Sequence, residues 1–160
     1  MTDCRFKLLT LALAAGLASC AQPVAVAPVV KKVEAPRAKP RPARLNGRGK
    51  VTSISPTELF ALQQSGSVLI YDARPGFFYG LGHIQGAINL PKPDCDAQIE
   101  KREAEIKAAI AANKTIIVYC TNLLCPDART VAIHLAGFGY SSSTLSGGWE
   151  SWKEAGLPTE

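Results

Sequence analysis

Thr115-Ile116-Ile117-Val118-Tyr119 is an apolar, β-branched run that ends on Cys120 and breaks into the loop Thr121-Asn122-Leu123-Leu124-Cys125-Pro126-Asp127. Five such residues with no polar alternation read as a strand covered on both faces, the pattern of a parallel sheet. Downstream, Ala128 to Phe138 carries Val131, Ala132, Leu135 and Ala136 at helical spacing, and Ser142 to Leu145 reads as a short strand before a last helix from about Trp149 to Ala155. Upstream, Ala97 to Asn113 reads as one helix, with Ile99, Ile106 and Ile110 on or near one face. Val68 to Ala73 and Ala87 to Leu90 read as strands, as does Val51 to Ile54. Ser55-Pro56-Thr57-Glu58 is a capping box, with Ser at the N-cap, Pro at N1 and Glu at N3, opening a helix to about Gln64. Short apolar strands alternating with helices predict an α/β fold, an open parallel sheet with helices on both faces.

The charge divides the 160-residue chain. The whole carries +5, yet residues 31–50 carry eight Lys and Arg against Glu34, while residues 51–160 carry eight against eleven Asp and Glu. A mildly acidic body thus follows a basic strap, so the overall charge gives no reason to expect a nucleic-acid partner. Residues 21–50 hold Pro23, Pro28, Pro36, Pro40 and Pro42 without helical or strand period, which reads as an extended tether. At the amino terminus, Arg5 and Lys7 precede an apolar run, Leu8 to Leu17, too short to span a bilayer. Leu17-Ala18-Ser19-Cys20 then resembles the lipobox of bacterial lipoproteins, which implies cleavage before Cys20 and its lipidation. The expected organisation is a signal peptide at 1–19, a lipidated tether at 20–50 and one domain at 51–160. Ala21 rather than Asp follows the cysteine. The expected location is therefore the bacterial cell envelope, on the periplasmic face of the outer membrane in a Gram-negative host.

Cys120 stands where open α/β sheets bind ligands, at the carboxyl end of a strand. Loop amides and the positive end of the next helix can surround one atom there and favour a thiolate. Pro126 suits the first helical turn, with Cys125 or Asp127 as capping side chains. A buried structural thiol fits the same position.

The motifs around it resemble the rhodanese family. Asp72-Ala73-Arg74, Tyr79, the run Gly82-His83-Ile84-Gln85-Gly86-Ala87-Ile88-Asn89-Leu90-Pro91, Val118-Tyr119-Cys120, and Leu145-Ser146-Gly147-Gly148-Trp149 with Trp152 and Gly156-Leu157-Pro158 follow the family order across nearly all of 51–160. The resemblance implies a rhodanese-like sulfurtransferase in which Cys120 takes a sulfane sulfur as a persulfide and passes it to a thiol acceptor. Many members have arginines in this loop; here Thr121 to Asp127 has none, and Asp127 has the wrong sign for thiosulfate. A neutral polysulfide or a protein persulfide is the better-suited donor. Phosphatase chemistry is disfavoured, because the arginine of C-x5-R is Pro126 here.

Cys120 and Cys125 form C-x4-C, spacing seen in some family members, so a thiol–disulfide relay with Cys125 resolving Cys120 stands as an alternative. A third reading is an inactive rhodanese fold used for protein binding. Asp72 and Arg74 are expected to pair beneath the loop, and Arg129 stands near the start of the next helix with its aim open. His83 is expected to hold the turn around Gly82 and Gly86, and His134 to pack. Cys95 reads as an exposed thiol at a helix start. No cofactor is called for, and no C-x-x-C or His pair suggests a zinc site.

Overall fold

The computed structural model describes residues 49–160. The expected signal peptide, Cys20 and most of the expected tether lie outside the described residues. Among those described, no helix is long and apolar enough to cross a membrane.

Five parallel strands form one sheet: β1 (Val51–Ile54), β2 (Val68–Asp72), β3 (Ala87–Asn89), β4 (Thr115–Tyr119) and β5 (Ser142–Leu145), in spatial order β1-β5-β4-β2-β3. The chain steps outward from β2 to β3, then returns to the other side of β2 for β4 and continues outward through β5. The strand order thus reverses between β2 and β4, the place where α/β sheets open a ligand crevice. In register, Asp72 of β2 faces Tyr119 of β4. The Ala73 N–H then donates to the Tyr119 carbonyl at 2.8 Å, so both strands end level with each other.

The expected burial on both faces is present. Ile116 and Val118 face one core, with Ile99, Ile106, Val131 and Leu135 from α3 (Cys95–Lys101), α4 (Glu103–Ala111) and α5 (Asp127–Gly137). Ile117 and Tyr119 face the other, with Leu59 of α1 (Pro56–Gln64) and Trp152 of α6 (Gly148–Glu154). Strand side chains alternate between faces, so one short run supplies both cores. The capping box forms as read: the Ser55 hydroxyl accepts from the Glu58 N–H, and the Glu58 carboxylate accepts from the Ser55 N–H at 2.9 Å.

Two elements differ from the sequence reading. The single helix expected over 97–113 is two helices hinged at Arg102, which leaves helical geometry at φ −97° and ψ 9°. The Arg102 guanidinium donates to Glu105 and to the Asn89 carbonyl, tying the break to the end of β3. Ile99 and Ile106 are buried on either side of the break, while Ile110, one turn further along α4, is exposed. The other difference is α2 (Gly76–Gly80), a single turn between two glycines that shows no amphipathic period.

Candidate active site

Cys120 leaves β4 into the loop and is disulfide-bonded to Cys125. The pairing closes the C-x4-C that the sequence left open. Cys120 is 3% exposed, whereas Cys125 is half-buried and stands nearer solvent. Asn122 organises the loop between them. Its side-chain oxygen accepts from the Leu124 N–H at 3.1 Å, and its carbonyl accepts from the Cys125 N–H at 3.2 Å. These two amides therefore serve the turn rather than encircling the Cys120 sulfur, which departs from the simple cradle expected of the loop. Leu123 and Leu124 are 81% and 90% exposed and form an apolar rim.

The helix after the loop begins at Asp127, with Pro126 as its N-cap and no side-chain capping bond. Neither Cys125 nor Asp127 caps it. Cys125 is held in the disulfide, and Asp127 pairs with Lys92 at 2.9 Å. Lys92 comes from the loop after β3, so the charge that argued against an anionic donor has a counter-charge the sequence did not reveal. Arg129 is exposed and helps line a cavity of about 360 Å³ with Cys120, Cys125 and Asn122. Thr121 stays beside Cys120, its hydroxyl 4.0 Å from the sulfur.

Beneath the loop lies the Asp72–Arg74 pair, 0% and 3% exposed. Arg74 Nε donates to both carboxylate oxygens at 3.1 and 3.0 Å, and Nη2 donates to one at 2.6 Å. Nη2 also donates to the Gly82 carbonyl at 2.8 Å. Burial works against the Arg74 charge, but the hydrogen bonds and charge of Asp72 outweigh it and hold the guanidinium pKa above its ordinary value. The guanidinium carbon stands 4.8 Å from the Trp149 ring centre and 5.6 Å from that of Tyr119, close enough for cation–π attraction. Burial, reinforced by the Asp72 charge, pushes the Tyr119 phenol well above its usual range. Asp72 and Arg74 thus form a support under the loop and do not line its cavity.

His83 holds its turn as expected: Nδ1 lies 3.1 Å from the Tyr79 carbonyl, and the ring stacks on Tyr79 at 3.8 Å. Cys95 opens α3 as read, but its thiol is buried because the side chain turns under the helix beside Ile99. Three contributors were missed: Ser53 and Ser146, which line the cavity and meet at 2.8 Å between hydroxyls, and Lys92. The serines stand at or just past the carboxyl ends of β1 and β5, which is the signal that could have found them.

Residues 55–155 match the family model of the Rhodanese-like domain. This chain belongs to the rhodanese-like family. A curated relative, the thiosulfate sulfurtransferase GlpE of Actinobacillus succinogenes, is 26% identical over 110 residues, covering 68% of this chain and 90% of its own length. An HTH-type transcriptional regulator of Mycobacterium tuberculosis is 33% identical over 111 residues, again 68% of this chain but 44% of that protein. The chain therefore spans less than half the length of that regulator. Among solved structures, a protein of Bacillus halodurans superposes with a TM-score of 0.59 at 25% identity, covering 68% of this chain and 76% of the other.

Proposed function

We propose that this rhodanese-like domain is a sulfurtransferase that carries sulfane sulfur on Cys120. The carrying observation is that Cys120 stands at the carboxyl end of β4 in redox contact with a second cysteine. In the reduced domain, the Cys120 thiolate attacks the outer sulfur of a donor R–S–SH. The Cys120 S–S bond forms, the donor S–S bond breaks, and RS⁻ leaves. A thiolate acceptor then attacks the outer sulfur and returns Cys120. The GlpE relative supports the reaction class. For the donor, the apolar rim of Leu123 and Leu124 favours a polysulfide or protein persulfide over thiosulfate, because Arg129 is the one basic residue lining the cavity.

The disulfide favours a second branch of the same chemistry. The Cys125 thiolate attacks the Cys120 sulfur of the persulfide, HS⁻ leaves, and the Cys120–Cys125 disulfide forms. The two cysteines are oxidised and the carried sulfur is reduced to sulfide; an external dithiol restores them. A sulfide electrode tests this. The reduced protein given an organic persulfide releases sulfide and gains the disulfide. Cys125→Ser keeps the sulfur and forms no disulfide. Sulfide release unchanged in Cys120→Ser overturns the reading.

For location, the reading is an envelope lipoprotein whose Cys20 carries the anchor and whose basic tether holds the domain off the membrane. Support comes from the lipobox-like Leu17-Ala18-Ser19-Cys20 and the proline-rich segment that follows. Thirty such residues reach roughly 90 Å when extended. Metabolic labelling with a fatty acid should mark the wild type and not Cys20→Ser; an unlabelled, freely released wild type rejects the anchor.

A further inference from the structure

A second group of ligating side chains lies away from the Cys120 loop, between α3 and α5. Cys95 and Asp96 are consecutive at the start of α3, and His134 faces them from the last turn of α5. The Cys95 sulfur, an Asp96 carboxylate oxygen and a His134 ring nitrogen all lie within 4.8 Å of one another. His134 Nδ1 already stands 2.5 Å from Asp96 Oδ1. Cys95 is the free cysteine of the described residues, and its thiol is buried, while Asp96 and His134 are partly exposed. We propose that Cys95, Asp96 and His134 form a binding site for a borderline divalent transition metal of the zinc class.

The donor set selects the ion. One sulfur, one imidazole nitrogen and one carboxylate oxygen suit Zn²⁺ or Co²⁺, whereas Ca²⁺ and Mg²⁺ take oxygen donors. With bonds of about 2.3 Å to sulfur and about 2.0–2.2 Å to nitrogen and oxygen, a tetrahedron has edges of roughly 3.3–3.6 Å. The nitrogen–oxygen pair therefore opens from 2.5 Å by roughly 1 Å, and the sulfur, within 4.8 Å of both, closes by at most about 1.2 Å. Side-chain rotations supply this, since two of the three groups sit at the surface. The buried thiolate supplies the inner ligand, and the exposed side leaves a fourth position for water. On binding, the Cys95 proton goes to solvent, the metal–sulfur bond replaces it, and the His134 proton resides on Nε2. The bound ion ties the start of α3 to the end of α5. It is independent of the sulfur-transfer reading.

The reduced Cys120 loop is a competing ligand set, because Cys120, Cys125 and Asp127 also lie within 4.8 Å of one another. The test therefore uses the full chain with the Cys120–Cys125 disulfide intact and with Cys4→Ser and Cys20→Ser, leaving Cys95 as the thiol. Titration with CoCl₂ should raise a thiolate-to-cobalt charge-transfer absorption and tetrahedral visible bands that saturate at one equivalent and vanish on adding ZnCl₂. Cys95→Ser should abolish the charge-transfer band. His134→Ala, a change at a partly exposed position, should weaken binding by roughly tenfold or more, since even outer partners of metal ligands contribute that much. Absence of the band, or a band surviving unchanged in both variants, overturns the site.

Discussion

The Trp149 N–H donates to the Cys120 carbonyl at 2.8 Å and ties the first turn of α6 to the end of β4. Glu150 does the same for the Thr121 carbonyl at 2.9 Å. The close approach needs Gly148, which has φ +59° and whose missing Cβ would collide with the Cys120 carbonyl oxygen. The second glycine of the closing motif thus serves the cysteine loop directly, whereas a Cβ at the first, Gly147, would meet Ser151 of its own helix.

Gly148→Ala should consequently damage the site more than its size suggests. The left-handed backbone alone costs an alanine about 1–3 kcal/mol, and the collision pushes Cys120 out of place. Urea denaturation should show the lost stability, and sulfur loading of Cys120 should fall with it.

The Asp72–Arg74 pair gives a second expectation. Arg74→Met leaves the Asp72 carboxylate buried without its partner, a change that costs about 3–5 kcal/mol. Adding Asp72→Asn should recover a large part, because the uncompensated charge is gone. A double-mutant cycle by denaturation checks the coupling. Equal stabilities for Arg74→Met with and without Asp72→Asn would contradict it.

Much of this arrangement was legible in the sequence, for local reasons. The TIIVY run announced its strand because its residues favour extended backbone and offer no wet face, and Ser55 to Glu58 announced a helix start through hydrogen bonds made within four residues. What stayed hidden depends on partners remote in sequence. The break at Arg102 answers to Asn89, the counter-charge on Asp127 comes from Lys92, and the burial of Cys95 follows from how α3 packs. The disulfide was visible only as a spacing, since C-x4-C fixes no thiol direction until the Asn122 turn brings the two together.

Thiol accessibility should follow the same geometry. In the oxidised protein, maleimide should leave Cys120 and Cys125 unmodified. After reduction, Cys125 should react before Cys120 and Cys95, which are 3% and 4% exposed. Peptide mapping at short labelling times checks the order, and Cys120 reacting first would mean the loop opens on reduction.

Alkaline stability carries a clear sign. Burial, with the Glu105 hydrogen bond, raises the Tyr71 phenol, and burial with the Asp72 charge raises Tyr119. Each folded pKa lies above its unfolded value near 10, so this stability is whole below about pH 10 and is lost as pH rises beyond it. Two phenols give a slope approaching about 2.7 kcal/mol per pH unit at most. Urea denaturation across this range should show the slope, and Tyr71→Phe should remove about half of it.

If Cys120 carries the sulfur, the sulfur can be located on it. The reduced full chain is exposed briefly to inorganic polysulfide, alkylated and mapped by tandem mass spectrometry, with Cys125→Ser in parallel to hold the intermediate. An alkylated persulfide should appear on the Cys120 peptide, accumulate in Cys125→Ser and be discharged by an added thiol. No extra sulfur on Cys120 in either protein would contradict a carrier role for Cys120.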